Sequence, residues 1–262
     1  TLAPDGSSTV LCEVEVMDGD GKNHHPTDEP SMELTARIRI RGNTSRLFDK
    51  KGYLLDLTEE DGVRNKNVQM LGMSSHHEWA LHGPFLDKSL IRNYMWYNIA
   101  AEFMDYAPNV RFCEVIIDGE YQGLYVLTET IPKGEGVRLN MSMREDGYSM
   151  VSYVVRLDRG SGNSIKNIDT FTMYSLRNMQ MMDIVYPGTS NLTPERIDYI
   201  QKDFSDFEKS LYSYDYDTEP YAWWNETDMN SFVDYFILNE FTCNYDVGAR
   251  STYVYKDVKG KY

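Results

Sequence analysis

The sequence predicts an α+β protein made of two lobes. Three observations support this class: alternating apolar and polar residues dominate the first half, an Asp-Gly turn joins two apolar runs near the middle, and two helical segments come late in the chain. Most predicted strands precede the helices and do not alternate regularly with them, which is an order typical of α+β proteins. The length of 262 residues is sufficient for one or two domains with buried cores.

The chain is strongly acidic, and this limits the partners that it can have. It contains 41 Asp and Glu against 26 Lys and Arg, which gives a formal net charge of −15. The composition argues against binding to nucleic acid or to an anionic membrane, because both need clustered basic residues. No apolar run approaches the roughly 20 residues that span a bilayer. The charge fits plain solubility, and it also favours encounters with a basic protein.

Strands dominate the expected N-terminal lobe, residues 1–131. The first predicted strands are Thr9–Met17, Leu34–Arg41 and Lys51–Leu57. In Leu34–Arg41 the apolar residues face one way and the three arginines face the other. Two apolar runs flank Asp118–Gly119, which predicts a tight hairpin. The segment 87–104 is apolar on nearly all sides, so it is predicted to form a buried helix.

Helices dominate the end of the expected C-terminal lobe, residues 132–262. This lobe begins with predicted strands at Val151–Leu157, Thr170–Tyr174 and Met182–Tyr186. A Thr-Pro pair then marks a helix start, and apolar residues follow at spacings of three and four, which predicts an amphipathic helix over 193–212. The largely apolar segment 228–243 predicts a second, buried helix. A polar loop and a final strand, Thr252–Tyr255, follow it.

The cysteines and histidines do not have the spacing that is typical of a metal site or a disulfide framework. Cys12, Cys113 and Cys243 are too few and too scattered for a disulfide framework, and three thiols or one disulfide plus a thiol both fit. The five histidines lack metal-ligand spacing and are interpreted as surface residues. The motifs of P-loop proteins, serine hydrolases and zinc proteases are absent from the sequence.

Two residues are candidates for chemistry. Lys51 opens a predicted strand on the side of Tyr53, so its amine must be paired, reach past apolar surface to solvent, or be held for a ligand. Asp246 lies in the polar loop between the last helix and the last strand, and a loop held by rigid elements at both ends suits a catalytic base. The alternative for Asp246 is an Asx turn that ends the helix.

These two residues occur in the order of the parts that transfer a phosphoryl group. A strand lysine comes first, and a helix, a hairpin, further helices and a loop with an aspartate follow. In such enzymes a lysine and metal ions stabilise the dispersed negative charge of the transferred group, while the aspartate orients the attacking hydroxyl.

Five segments make the resemblance to one family specific. They are RIRGNTS at 39–45, KKxY at 50–53, DKSLIRN at 87–93, DGEYQGLYVLTE at 118–129, and the stretch from Asn239 through Asp246 to Tyr253. In this order they resemble the CotH kinase family, which comprises the spore-coat CotH proteins and their secreted bacterial and fungal relatives. The resemblance covers most of the chain, and DGEYQGLYVLTE with DKSLIRN upstream is its most distinctive part.

The resemblance implies an atypical, protein-kinase-like fold of two lobes that binds ATP with Mg²⁺ or Mn²⁺ and phosphorylates Ser or Thr. From the matching segments, Lys51 would contact phosphate and act with Asp246, the catalytic aspartate. Glu129 would lie on the linker beside adenine. Tyr153 falls where the family has an aromatic residue on the nucleotide side. Ser251 stands where ordinary protein kinases have a metal-binding Asn, and its hydroxyl could approach the metal.

The resemblance also has a gap. The family continues beyond the catalytic loop with a Trp-Asp-(Phe/Tyr)-Asp segment that supplies a metal-binding Asp, and this sequence ends at Tyr262 before such a segment. We therefore expect a C-terminal lobe that is truncated, and the activity of this chain alone stays open. Between Leu90 and Met104 the only acid is Glu102, near the far end, so no acid is obviously placed to pair with Lys51.

Three functions compete at this point. The first is a secreted or surface-bound protein kinase, monomeric, located outside the cell or on the cell or spore surface, which phosphorylates basic Ser/Thr-rich proteins. The second is a non-catalytic scaffold or adhesion module of a bacterial surface assembly. The third transfers AMP rather than phosphate to a protein hydroxyl. The mass of the modified product separates the first function from the third.

Overall fold

The chain forms two compact units, Thr1–Pro132 and Lys133–Tyr262, each with its own apolar core. A computed structural model describes residues 1–19, 21–134, 136–142, 148–158, 166–169, 181–258 and 260–262. Both units contain strands and helices, so the predicted α+β class is confirmed.

The N-terminal unit is built on an antiparallel sheet of six strands. The strands are β1 (Val10–Val16), β2 (Met32–Arg41), β3 (Gly52–Thr58), β4 (Glu78–His82), β5 (Val110–Ile117) and β6 (Glu120–Glu129), in the order β1-β2-β3-β4-β6-β5. A 3₁₀ turn, Thr44–Leu47, follows β2. The short strand β4 was not expected from the sequence. Strand β4 has only five residues, but Trp79 and Leu81 are buried on its core face. Their packing stabilises β4 in its place between β3 and β6.

The predicted alternation along β2 is confirmed. Ala36 and Ile40 are buried in the core, where they pack with Tyr53 and Trp79. The arginines of β2 have the opposite parity, so they lie on the other face of the sheet. This separation leaves one face apolar and gives the other face a row of positive charge.

The predicted hairpin is confirmed at its turn. Asp118 and Gly119 connect β5 to β6 with φ values of 50° and 80°. A two-residue turn that requires positive φ at both positions matches the right-handed twist of the strands, and Asp-Gly meets that requirement at low cost. The pairing then shifts by one residue between Val115 and Ile116.

The prediction of a buried helix over 87–104 is wrong in both length and burial. Helix α1 is Arg92–Ala100, and Ala100 is its only buried residue. The first residues of the segment stay outside the helix because Leu90 adopts φ of 65° and the Asp87 carboxylate accepts the Arg92 backbone N–H at 2.8 Å. Tyr94 stacks on Phe112 of β5 with ring centroids 4.3 Å apart, so α1 meets the sheet along one side.

The C-terminal unit contains a second antiparallel sheet. Its strands are β9 (Tyr153–Asp158), β10 (Asn167–Ile168), β11 (Met181–Tyr186) and β12 (Thr252–Lys256), in the order β10-β11-β9-β12. A small parallel pair, β7 (Lys133–Gly134) with β8 (Leu139–Asn140), precedes it. The strands predicted near 151–157, 182–186 and 252–255 are confirmed, and the one predicted at Thr170–Tyr174 lies outside the described residues.

The predicted amphipathic helix is confirmed as α2, Pro194–Tyr212. The Thr193 hydroxyl accepts the Arg196 backbone N–H at 3.3 Å, which satisfies one of the free donors at the helix start. Ile200, Phe204 and Phe207 form the buried stripe and pack into the core of the unit. The apolar spacing read from the sequence therefore identifies the buried face of α2.

Helix α3, Met229–Thr242, forms as predicted but is not buried. Asn239 is its only buried residue, whereas Phe236, Ile237 and Phe241 are 63%, 55% and 74% exposed. One side of the helix packs inward through Asn239 and through Tyr235, whose hydroxyl lies 2.9 Å from the Thr252 hydroxyl. The apolar composition of α3 thus reflects an exposed surface, and the predicted burial is wrong.

The described part of the chain has no helix that is both long and apolar enough to cross a membrane. The three cysteines are thiols: Cys12 and Cys113 are partly buried and Cys243 is exposed at the end of α3. Burial raises the pKa of the Cys113 thiol to about 11 and also raises that of Cys12.

We expect a thiol reagent at pH 8 to modify Cys243 first. The raised pKa values keep Cys12 and Cys113 protonated, and the thiolate is the reactive form. Time-resolved mass spectrometry of the native protein measures the order of labelling. In denaturant all three thiols should react at the same rate. If only one thiol per chain reacted in denaturant, the other two cysteines would form a disulfide, which would contradict the structure.

Candidate functional site

The polar loop after α3 is fixed at both ends by side-chain hydrogen bonds. At its start the Asn244 side-chain amide donates to Asn239 Oδ1 at 2.7 Å. At its end the Gly248 backbone N–H donates to the Thr252 hydroxyl at 3.1 Å, and Tyr235 holds the same hydroxyl. Cys243 ends the helix in the left-handed conformation with φ of 51°. The loop therefore has a defined shape although most of its residues face solvent.

Asp246 lies at the tip of this loop, with its carboxylate turned outward. Its carbonyl accepts the backbone N–H groups of Ala249 and Arg250, and its own N–H donates to Asn244 Oδ1 at 3.3 Å. The side chain is 48% exposed, and Arg250 Nε lies 3.7 Å from Oδ1. Asn244 therefore makes an Asx turn at the helix end, and the Asp246 carboxylate remains accessible to solvent. The catalytic role of Asp246 stays a prediction.

Ser251 follows the loop in a strained conformation, with φ of 49° and an exposed side chain. Among the described residues, no group of three or more His, Cys, Asp or Glu side chains is arranged to hold a metal ion. Asp246 and Ser251 supply one carboxylate and one hydroxyl, which is fewer than the oxygen ligands that Mg²⁺ takes from protein and phosphate together. These residues alone do not fit a complete metal site.

Lys51 precedes strand β3 and does not belong to it. Its amine donates to the Arg46 carbonyl at 2.7 Å, so it ties the chain to the 3₁₀ turn. The neighbouring Lys50 was named in the sequence analysis only within the KKxY segment, because the partners of Lys50 lie about 70 residues away in sequence. Lys50 Nζ lies 4.4 Å above the Tyr125 ring and donates to the Gln122 carbonyl at 2.8 Å. Burial lowers the pKa of Lys50.

Glu129 ends β6 as a buried carboxylate with a structural set of partners. It accepts the Asn109 backbone N–H at 3.0 Å, the Asn109 side-chain amide at 3.1 Å and the Ser74 backbone N–H at 3.3 Å. Its side chain is 2% exposed. The contacts connect the end of β6 to two loops of the N-terminal unit and account for burial of the charge.

We expect Glu129→Ala to lower the free energy of unfolding of the N-terminal unit by about 2–3 kcal/mol, because buried N–H donors lose their acceptor. Urea denaturation measures the loss, and hydrogen exchange at the Asn109 amide should speed up. Glu120→Ala is the matched control, since Glu120 lies exposed on the same strand. Equal stability of the two variants would contradict a structural role for Glu129.

Tyr153 lies in the core of the C-terminal unit with no exposed surface. Its hydroxyl donates to Asp203 Oδ2 at 2.7 Å and lies 2.6 Å from the Tyr262 hydroxyl. Burial, Tyr262 and the Asp203 charge together raise the pKa of Tyr153. Lys256 Nζ completes the cluster 3.0 Å from Asp203 Oδ2. A side chain without exposed surface has no ring face left for adenine, so these contacts support a core role.

The expected site residues fall into two groups. Lys51 and Glu129 belong to the N-terminal unit, while Tyr153, Asp246 and Ser251 belong to the C-terminal unit. Of the latter, Asp246 and Ser251 lie together in one loop, and Tyr153 lies in the core. A pocket of about 500 Å³ in the C-terminal unit is lined by residues such as Trp224, Tyr255 and Tyr262, and Asp246 does not line it.

Comparison with known proteins gives one finding on the family. The model of a protein family described as "CotH kinase protein" matches residues 38–262, which is most of the chain. A comparison with curated proteins gives no match.

Proposed function

This chain belongs to the CotH kinase family, and we propose from this membership that it is a protein kinase which transfers the γ-phosphate of ATP to Ser or Thr. The observation that carries the proposal is the Asp246 loop, in which hydrogen bonds at both ends hold an exposed carboxylate. A kinase-type function is what family membership supports in general. The two units of the chain correspond, in this proposal, to the two lobes of a kinase.

The proposed step uses the Asp246 carboxylate as the proton acceptor. The substrate hydroxyl gives its proton to Asp246 while its oxygen forms a bond to the γ-phosphorus. The bond from that phosphorus to the β,γ-bridging oxygen breaks, and ADP leaves. The hydrogen bonds of Asn244 and Thr252 hold the loop, so the carboxylate is positioned before the substrate arrives.

Kinase-like families in general use ATP with a divalent metal ion, which balances the charge of the phosphates. The described residues of this chain do not complete a metal site, so the step above is derived from Asp246 alone. We propose Mg²⁺ or Mn²⁺ as the ion.

The proposed substrate is a basic protein rich in Ser and Thr, outside the cell or on the cell or spore surface. A chain of net charge −15 attracts a basic substrate at long range. Exposed charges are screened over about 8–10 Å at physiological ionic strength, so the rate should fall as salt is added.

The proposal is tested by incubating the chain with ATP, Mg²⁺ or Mn²⁺ and an Arg- and Ser-rich peptide. The expected product has gained one phosphate group, as measured by mass spectrometry. A nucleotidyl adduct would instead indicate AMP transfer. An unmodified peptide, together with unaltered thermal stability in ATP, would contradict the kinase proposal and favour a scaffold.

A further inference from the structure

The three arginines of β2 differ in their partners although they share one face of the sheet. Arg37 is paired: its guanidinium bonds to the Asp56 carboxylate on the next strand and to Asn65 Oδ1 at 2.9 Å. Arg39 and Arg41 form no hydrogen bond or ion pair with any part of the chain that the structure describes. Arg39 is half-buried and Arg41 is exposed.

The strand register leaves neither of these two arginines with an acidic residue directly opposite it. Arg39 lies opposite Leu54 of β3, and Arg41 lies opposite Gly52. The chain has 41 acidic residues and a net charge of −15. Two neighbouring arginines without a carboxylate partner therefore form a small positive patch in an otherwise acidic chain. Positive charge left unpaired on a sheet favours an anion from outside the chain.

His82 adds a third group to this face. It is the last residue of β4 and pairs with Val126 of β6. Trp79 and Leu81 face the core, so His82 faces the side that carries Arg41. Burial and then the positive charge of Arg41 lower the pKa of His82, whereas Asp87 raises it. Arg41 therefore acts electrostatically at His82.

The strand spacing sets the distances between these three groups. Arg41 and His82 lie on strands separated by β3, a spacing of roughly 10 Å, and Gly52 of β3 places no side chain between them. Arg39 lies about 7 Å from Arg41 along the strand. A triangle of this size exceeds the span of a single carboxylate and suits a chain of linked phosphates.

Asp87, whose charge affects the pKa of His82, is already engaged by other groups. The Asp87 carboxylate accepts the N–H groups of Ser89 and Arg92, at 3.0 and 2.8 Å, and lies 3.6 Å from Arg92 Nε. Its charge is therefore balanced within the segment that begins α1. One residue of RIRGNTS, Arg41, and one residue of DKSLIRN, Asp87, therefore both act on His82 through their charges.

We propose that Arg39 and Arg41, together with His82, bind the phosphate chain of the nucleotide. The inference rests on the proposed kinase function for the identity of the ligand. It assigns the phosphate contacts to β2 and β4, whereas the sequence resemblance assigned them to Lys51. The Lys51 amine already donates to the Arg46 carbonyl, so a phosphate would have to compete for it. A guanidinium without a partner has no such contact to lose and can bind phosphate oxygens in pairs.

The test compares four proteins: the unaltered chain, Arg39→Gln, Arg41→Gln and Arg37→Gln. Isothermal titration calorimetry measures the affinity of each for ATP and for inorganic tripolyphosphate. Each of the Arg39 and Arg41 variants loses the hydrogen bonds of one guanidinium to phosphate oxygens. Their Kd is therefore expected to rise about tenfold for both ligands. Arg37→Gln is the matched control, because Arg37 is held by Asp56, and its affinity should not change.

The outcomes separate this inference from the proposed function. Tripolyphosphate binding that depends on Arg39 and Arg41, without any phosphate transfer, would uphold the inference and count against the kinase. If the Arg39 and Arg41 variants both transfer phosphate and bind ATP and tripolyphosphate with unaltered affinity, the kinase proposal is upheld and the inference is overturned. Absence of binding of either ligand to the unaltered chain would also overturn it. Circular dichroism spectra verify that each variant is folded.

Discussion

Replacing Asp246 with Asn is expected to lower phosphate transfer by roughly 10²–10⁴-fold, the usual contribution of a positioned acid or base. Asparagine keeps the size of the side chain but cannot accept the proton of the substrate hydroxyl. The Asx turn should survive, because Asn244 provides its acceptor and the Asp246 backbone provides its donor. Initial rates with saturating ATP and peptide measure the effect, and the melting temperature should change little.

Two further variants make this result specific. Asp217→Asn removes one exposed acid from the same unit, so it controls for the loss of a single negative charge. Arg250→Gln removes the ion pair with Asp246 at 3.7 Å and tests whether that contact restrains the carboxylate. Transfer by Asp246→Asn at the rate of Asp217→Asn would exclude Asp246 as the proton acceptor.

Replacing Asp203 with Ala is expected to cause the largest loss of stability in the C-terminal unit, about 3 kcal/mol. Asp203 accepts hydrogen bonds from Tyr153 and Tyr262, at 2.7 and 2.9 Å, and pairs with Lys256. The Lys256 side chain is 9% exposed, and among the residues that the structure describes it would keep Glu226, 3.3 Å away, as its one acidic partner. The cost arises because polar groups in a core lose the partner that replaced water.

Asp206→Ala is the matched control for Asp203. It lies one turn further along α2 and pairs with Lys202 and Lys209 at the surface. Exposed pairs contribute between about 0 and 1 kcal/mol, so the control should unfold at nearly the urea concentration of the unaltered chain. If both variants lost the same stability, the Asp203 cluster would not be a determinant of the core.

Local signals predicted the hairpin and helix α2 because the determining residues are adjacent in sequence. Asp118–Gly119 adopts the conformation that its turn requires, and the Thr193 cap with Pro194 starts the helix where expected. The alternation of β2 also predicted which face carries the arginines. In each of these elements the residues that determine the structure lie within the element or directly beside it in the sequence.

Burial could not be predicted in the same way, because it depends on which surfaces meet. The apolar composition of α1 and α3 suggested helices inside a core, yet each packs along one side. The site residues follow the same rule. The roles of Lys51 and Glu129 depend on partners at Arg46, Ser74 and Asn109, and no local pattern identifies such partners.

The two sheets differ in when their strands become available during synthesis. In the N-terminal unit most paired strands are neighbours in sequence, so this sheet can form while later residues are still being added. In the C-terminal unit, β12 pairs with β9, which was synthesised almost a hundred residues earlier. At about 5–20 residues per second, β9 waits on the order of 5–20 s for this partner. The loop with Asp246 directly precedes β12, so the proposed catalytic carboxylate becomes fixed only when β12 pairs with β9.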